Sequence, residues 1–207
     1  MSKKIADAFK NGKAFIGFLT AGDPDLDTTK KIIKKVAQAG CDLVEIGIPF
    51  SDPIAEGPVI QKANIRALKN NVTTDDVFQM IDEIKNDVDI PMVFMTYLNV
   101  LFKYGYDRFL TRAKEVGICG VIIPDLPYEE KGELQSVAQN YGIEVVSLIA
   151  PTSKERIKMI AADAEGFVYA VSSLGVTGVR NEIKTDLESI TAAVKEATDL
   201  SLIHISE

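Results

Sequence analysis

The sequence predicts a β/α barrel, and four observations predict it. Short apolar runs alternate along the chain with amphipathic stretches of helical period. Polar residues recur at or near the C-terminal ends of those runs: Thr20, Glu45, Asp125 and Tyr169. The first run is not followed by the Gly-x-Gly-x-x-Gly turn of a dinucleotide-binding open sheet. The second leads instead into a long polar loop, Gly47 to Gly57, of the kind that builds barrel active sites.

The apolar runs are Ala14–Thr20, Asp42–Ile46, Pro91–Thr96, Gly120–Ile123, Glu144–Ile149, Gly166–Val171 and Leu200–Ile205. Several are continuous in Val, Ile and Leu, as strands buried on both faces are. Helices are expected over Asp27–Ala39, Thr74–Asn86, Tyr106–Val116, Glu129–Tyr141, Ser153–Asp163 and Asp186–Thr198, with a further one led by Pro58. Thr73 and Thr152 stand where N-caps belong, and Glu155 has the spacing to close a capping box with Thr152. Gly40, Gly117 and Gly142 each follow a helical stretch and fit a left-handed C-terminal stop. The segment from Ala39 to Glu45 resembles the segment from Val116 to Asp125: helix end, Gly, apolar strand, then an acid. Such repeated βα units make a parallel sheet. No linker or low-complexity tract divides the chain, so residues 1–207 are read as one domain.

Composition excludes several classes. Hydrophobic residues at 46% and charged residues at 26% describe an ordinary water-soluble globular chain. A net charge of −7 with a pI near 4.9 argues against a nucleic-acid partner. It leaves a small phosphorylated substrate open, because backbone N–H groups hold phosphate without net charge. No apolar run approaches the roughly 18 residues of a membrane span. Met1 to Lys13 is broken by Asp7 and lacks an apolar core, unlike a signal peptide. Cys41 and Cys119 lie far apart in apolar surroundings and are read as reduced core residues of a cytoplasmic protein. With His204 the single histidine, neither a His-based triad nor a multi-His metal site is expected.

Glu45 is the sharpest chemical signal, because it interrupts the apolar strand Leu43-Val44-Glu45-Ile46. A carboxyl group there is either an acid/base raised in pKa by burial or a paired structural carboxylate. The loop Pro49-Phe50-Ser51-Asp52-Pro53-Ile54-Ala55-Glu56-Gly57-Pro58 is stiffened by three prolines and carries two acids. It either sets a second carboxylate, Glu56, beside the barrel mouth for a separate proton-handling role, or forms a capped turn into the next helix. Ser172 to Gly178 is rich in glycine and small polar residues, suiting a lid or a phosphate cradle. Tyr169 either orients a substrate or packs.

Six motifs, in order, identify a family. They are Gly17-Phe18-Leu19-Thr20-Ala21-Gly22-Asp23-Pro24, Glu45-Ile46-Gly47-Ile48-Pro49-Phe50-Ser51-Asp52-Pro53, Gly57-Pro58-Val59-Ile60-Gln61, Tyr97-Leu98-Asn99, Pro124-Asp125-Leu126-Pro127 and Gly175-Val176-Thr177-Gly178. Together they resemble the tryptophan synthase alpha chain, from the N-terminus to about residue 199. The resemblance implies a (β/α)8 TIM barrel that cleaves indole-3-glycerol phosphate to indole and glyceraldehyde 3-phosphate. It implies no cofactor in this chain and a beta-chain partner carrying pyridoxal phosphate, in an alpha2-beta2 complex. By the same resemblance Glu45 is the general acid/base and Glu56 the carboxylate that holds the indole N–H, where many members carry Asp. Phe18, Ile60 and Tyr97 line the indole pocket. Tyr169 supports Glu45 and substrate, Thr177 belongs to a closing loop, and Gly178 contacts phosphate. The loop after the second strand and the segment from Tyr97 to Phe102 match regions that meet the beta chain.

The last residues depart from the family pattern. A Gly-x-Gly and a serine are expected at the seventh strand, but the chain reads Leu200-Ser201-Leu202-Ile203-His204-Ile205-Ser206-Glu207. A barrel of this type typically takes about 250 residues. The expectation is therefore a barrel incomplete at its C-terminus, without an eighth strand and helix, poorly stable, and short of most of its phosphate site. Leu200 to Glu207 also resembles a translated sequencing-library adapter, which would leave His204 without a function. The alternative reading of the chain is a catalytically impaired fragment that keeps partial folding and beta-chain contact.

Overall fold

The structure is a computed structural model that describes residues 3–171 and 186–204. Seven strands pair in chain order, all parallel: β1 (Ile16–Thr20), β2 (Leu43–Gly47), β3 (Met92–Met95), β4 (Gly120–Ile122), β5 (Glu144–Ile149), β6 (Val168–Ala170) and β7 (Leu202–His204). Helices α1 (Leu26–Gln38), α2 (Pro58–Lys69), α3 (Thr74–Ile84), α4 (Leu98–Tyr104), α5 (Tyr106–Glu115), α6 (Tyr128–Tyr141), α7 (Lys154–Ala162) and α8 (Leu187–Lys195) fill the connections. This is the barrel architecture the alternation predicts, with β1 and β7 as the two ends of the strand order.

Side chains alternate across a strand, so each strand feeds two apolar layers. The outer layer joins Val44, Ile46, Phe94 and Val121 to the inward faces of α3 and α5. There Phe78 of α3 meets Phe94 and Phe109 edge-on, with ring centroids 5.5 and 5.1 Å apart. The inner layer gathers Leu43, Val93, Ile122, Val146 and Tyr169, with Ile16 and Ile203 packed against it. Residues from all seven strands meet in that one cluster because the sheet curls around it. A short 3-10 helix, Ile5–Phe9, seals the N-terminal end of this interior. Ile5 is fully buried, and glycine is required opposite it. A Cβ at Gly120 would lie 2.6 Å from its Cδ1, and one at Gly166 would lie 2.8 Å away.

Local signals behave largely as the residues dictate. Thr73 caps α3 in a reciprocal pair with Asp76. Gly40, Gly117 and Gly142 all take positive φ after α1, α5 and α6. Cys41 and Cys119 are buried and unbridged. One cap differs from expectation. Ser153, not Thr152, caps α7 by accepting from Arg156 N at 3.3 Å. The Thr152 hydroxyl turns back to the Ala150 carbonyl instead, so the box with Glu155 does not form. The short helix α4 and the 3-10 helix were not predicted. Each is too short to show a periodic face, and α4 is started from outside: Asp125 Oδ1 accepts from Leu98 N at 2.8 Å.

Candidate active site

Glu45 sits at the middle of β2, in register with Phe18 of β1 and Val93 of β3. Val44 and Ile46 face the helices, so strand alternation turns Leu43, Glu45 and Gly47 into the barrel. Glu45 is only 2% exposed, and its Oε1 has no hydrogen-bond partner. A charged carboxylate in such a place loses hydration without compensation. Desolvation therefore pushes the Glu45 carboxyl from its ordinary 4.5 up to about 8. The group holds its proton at neutral pH and stands close enough to neutrality to give and retake it. Among the described residues nothing pairs with Oε1, as the acid/base reading of the sequence expects.

Tyr169 enters the same interior from β6 and is buried. Burial raises its phenol, and the charge of Glu45 raises it further. The two residues thus share one electrostatic environment. Phe18 is half-buried, and its ring closes over Gly47: a Cβ there would come within 2.8 Å of the Phe18 Cζ. The missing side chain at Gly47 is what lets an aromatic ring lie beside the acid.

The second carboxylate arrives by a different route. The chain leaves β2 at Gly47, and Ile48 N still donates to Met95 O of β3 at 3.0 Å. Tyr97, two residues beyond β3, then fastens the rest of the loop. Its ring stacks on Phe50 at 5.1 Å, and its hydroxyl accepts from Ile54 N at 3.1 Å and Ala55 N at 2.9 Å. The same hydroxyl donates to Glu56 Oε2. Desolvation, and then the Glu56 carboxylate, raise the Tyr97 phenol well above its usual range. The Glu56 carbonyl accepts from Gln61 Nε2 at 2.8 Å, tying the loop to the first turn of α2. Ile60 lies half-buried in that turn.

The structure thus joins Glu45, Phe18 and Tyr169 through the barrel interior, and Glu56, Tyr97 and Ile60 through the β2–α2 loop. Thr177 and Gly178 lie outside the described residues. Sequence reasoning missed the hydroxyl chemistry of Tyr97, whose contacts are more than 40 positions away and leave no periodic trace. It also left Asp125 without a task. The structure spends that acid on starting α4, the helix that follows Tyr97.

Comparison with known proteins identifies the family and the fold. The sequence model of the tryptophan synthase alpha chain family matches residues 5–203, past about residue 199 where the motif resemblance fades. The alpha chain of Lacticaseibacillus casei is 48% identical over 200 residues, covering 97% of this chain and 75% of that one. The alpha chain of Lactiplantibacillus plantarum is 49% identical over 197 residues, covering 95% and 75%. Among solved structures, the alpha subunit of Campylobacter jejuni tryptophan synthase superposes with a TM-score of 0.84 at 32% identity, over 95% of this chain and 79% of that one. A Mycobacterium tuberculosis tryptophan synthase structure gives 0.88 at 30%, over 99% and 80%.

Proposed function

The chain belongs to the tryptophan synthase alpha chain family, a lyase family of tryptophan biosynthesis that cleaves indole-3-glycerol phosphate, and from that premise we propose how its two carboxyl groups divide the work. Glu45, holding its proton at neutral pH, protonates the indole ring at C3. The glycerol hydroxyl on the carbon attached to C3 then loses its proton to the Glu45 carboxylate. As the new carbonyl forms, the C3–C bond breaks, its electron pair returns to the ring, and indole and glyceraldehyde 3-phosphate separate. Glu45 ends the cycle protonated, as it began. Glu56 holds the indole N–H and balances the positive charge that C3 protonation places on the ring. Phe18 and Ile60 flank the ring, and Tyr169 supports Glu45. Thr177 belongs to the loop that closes over the site, and Gly178 contributes to the phosphate contact.

The observation that carries this reading is the unpartnered, desolvated Glu45 oxygen on the inner face of β2. Proton transfer by a positioned side chain contributes about 10²- to 10⁴-fold. Glu45→Gln is therefore expected to lower indole release by at least about a hundredfold with the fold intact. Near-native turnover in that variant would refute the assignment.

The partner in this reading is a tryptophan synthase beta chain, carrying the pyridoxal phosphate that this chain does not bind, in an alpha2-beta2 assembly. The support is local: Ile54 at 70%, Val59 at 75% and Phe102 at 71% exposed place large apolar side chains on the β2–α2 loop, on α2 and on α4. Ile54 and Phe102 lie in the segments that the family resemblance assigns to the interface, and Val59 lies in the turn of α2 just beyond the first of them. A cytoplasmic location fits a biosynthetic enzyme. Among the described residues no helix is long and apolar enough to cross a membrane.

A further inference from the structure

The Tyr97 hydroxyl has used its whole bonding capacity inside one loop. A hydroxyl donates one hydrogen bond and accepts two. Here the two accepted bonds come from Ile54 N and Ala55 N, and the donated one goes to Glu56 Oε2. Nothing of that oxygen is left for substrate. The ring is equally committed: it is 3% exposed and stacked on Phe50 of the same loop. Tyr97 itself is fixed from behind, because it is the N-cap residue of α4, whose first N–H is held by Asp125. Asp125 and α4 therefore brace Tyr97, and Tyr97 braces both the backbone and the side chain of the acidic loop.

We propose that Tyr97 is a positioning residue that acts through Glu56: by engaging Oε2 and the two preceding N–H groups, it fixes the direction in which the other Glu56 oxygen meets the indole N–H. This rests on the assignment of Glu56 as the holder of that N–H. A carboxylate on a loop rotates about three side-chain bonds, and a hydrogen bond to one of its oxygens removes most of that freedom before substrate arrives. Substrate then meets a fixed acceptor.

The test compares two probes on Tyr97→Phe, which deletes one oxygen and keeps the ring. Indole presents an N–H; 1-methylindole has the same ring without it. Binding of each is measured by titration calorimetry on the native chain, on Tyr97→Phe, on Glu56→Ala and on the double variant. Tyr97→Phe is expected to weaken indole about tenfold, the scale of one charge-assisted hydrogen bond's influence. It is expected to change 1-methylindole by less than about twofold. In the Glu56→Ala background the same substitution is expected to change indole binding by less than about twofold. Amide exchange at Ile54 and Ala55 is expected to quicken in Tyr97→Phe. Equal weakening of both probes would mean general damage to the pocket and would overturn the proposal, as would no change in either. An equal loss in both Glu56 backgrounds would also overturn it. If Glu56→Ala leaves indole binding unaltered, the Glu56 assignment falls and the Tyr97 proposal with it. If Glu56→Ala weakens indole while Tyr97→Phe does not, only the Tyr97 proposal falls.

Discussion

Replacing Glu45 with glutamine is expected to flatten the pH dependence of stability between about pH 4.5 and 8. The folded chain raises the Glu45 carboxyl from 4.5 to about 8 by desolvation. Over that window the folded state holds a proton that the unfolded state has released, so stability falls as pH rises. The benefit is fully present below 4.5 and is lost through about 8. At 1.36 kcal/mol per pKa unit, a shift of this size corresponds to about 5 kcal/mol as an upper figure. That is comparable to the whole stability of many domains. Glu45→Gln cannot ionise, so it escapes this loss. Its amide adds a pH-independent penalty of about 1–3 kcal/mol, because its N–H groups enter a site that gives Oε1 no hydrogen-bond partner. The assay is urea denaturation of both proteins at several pH values from 4.5 to 9. The stability difference, variant minus native, should rise across the series by about 3–5 kcal/mol. Parallel curves for the two proteins would show that Glu45 titrates alike in folded and unfolded chains, and would refute the reasoning.

Three other outcomes follow from the packing. Gly47→Ala should push the Phe18 ring aside, since its Cβ would meet Cζ at 2.8 Å; indole binding should weaken about tenfold while the melting temperature changes little, and unaltered binding would contradict the placement of Phe18. Gly120→Ala should destabilise by about 1–3 kcal/mol, the usual cost of overpacking, because Ile5 Cδ1 at 2.6 Å and the Glu144 carbonyl at 3.1 Å crowd the new Cβ; an unchanged denaturation midpoint would contradict it. Lys131 is buried beneath α6, where its Nζ donates to Ser147 Oγ at 3.0 Å and the Asp163 carbonyl at 2.8 Å. Lys131→Met should cost about 1–3 kcal/mol through the acceptors it abandons, without lowering indole affinity, since none of its partners is a residue assigned to the indole pocket.

The strands and the longer helices were legible because buried parallel strands and amphipathic helices carry their periods in the local sequence. Glu45 was legible for the complementary reason: a lone acid in an apolar run has few uses. What the local sequence could not show was contact at long range. Tyr97 could be named as a pocket residue from motif resemblance, yet its bond to Glu56 and its grip on Ile54 and Ala55 arise only when β3 comes beside β2. Asp125 is similar: its partner, Leu98, lies across one strand connection. The misplaced cap of α7 has a smaller cause. Thr152 and Ser153 are adjacent and chemically equivalent as caps, and only the backbone conformation at Ser153 separates them. Thr177 and Gly178 lie outside the described residues, so the lid and the phosphate contact rest on motif resemblance.

The central claim is that Glu45 is a protonated acid at neutral pH, ready to give its proton to the indole ring. Infrared difference spectra, native minus Glu45→Gln, isolate the carbonyl stretch of that one carboxyl group across a pH titration. A band of a protonated acid at pH 6.5 that disappears with a midpoint of about 8 is the predicted result. An ionised carboxylate already present at pH 6.5 would contradict the account.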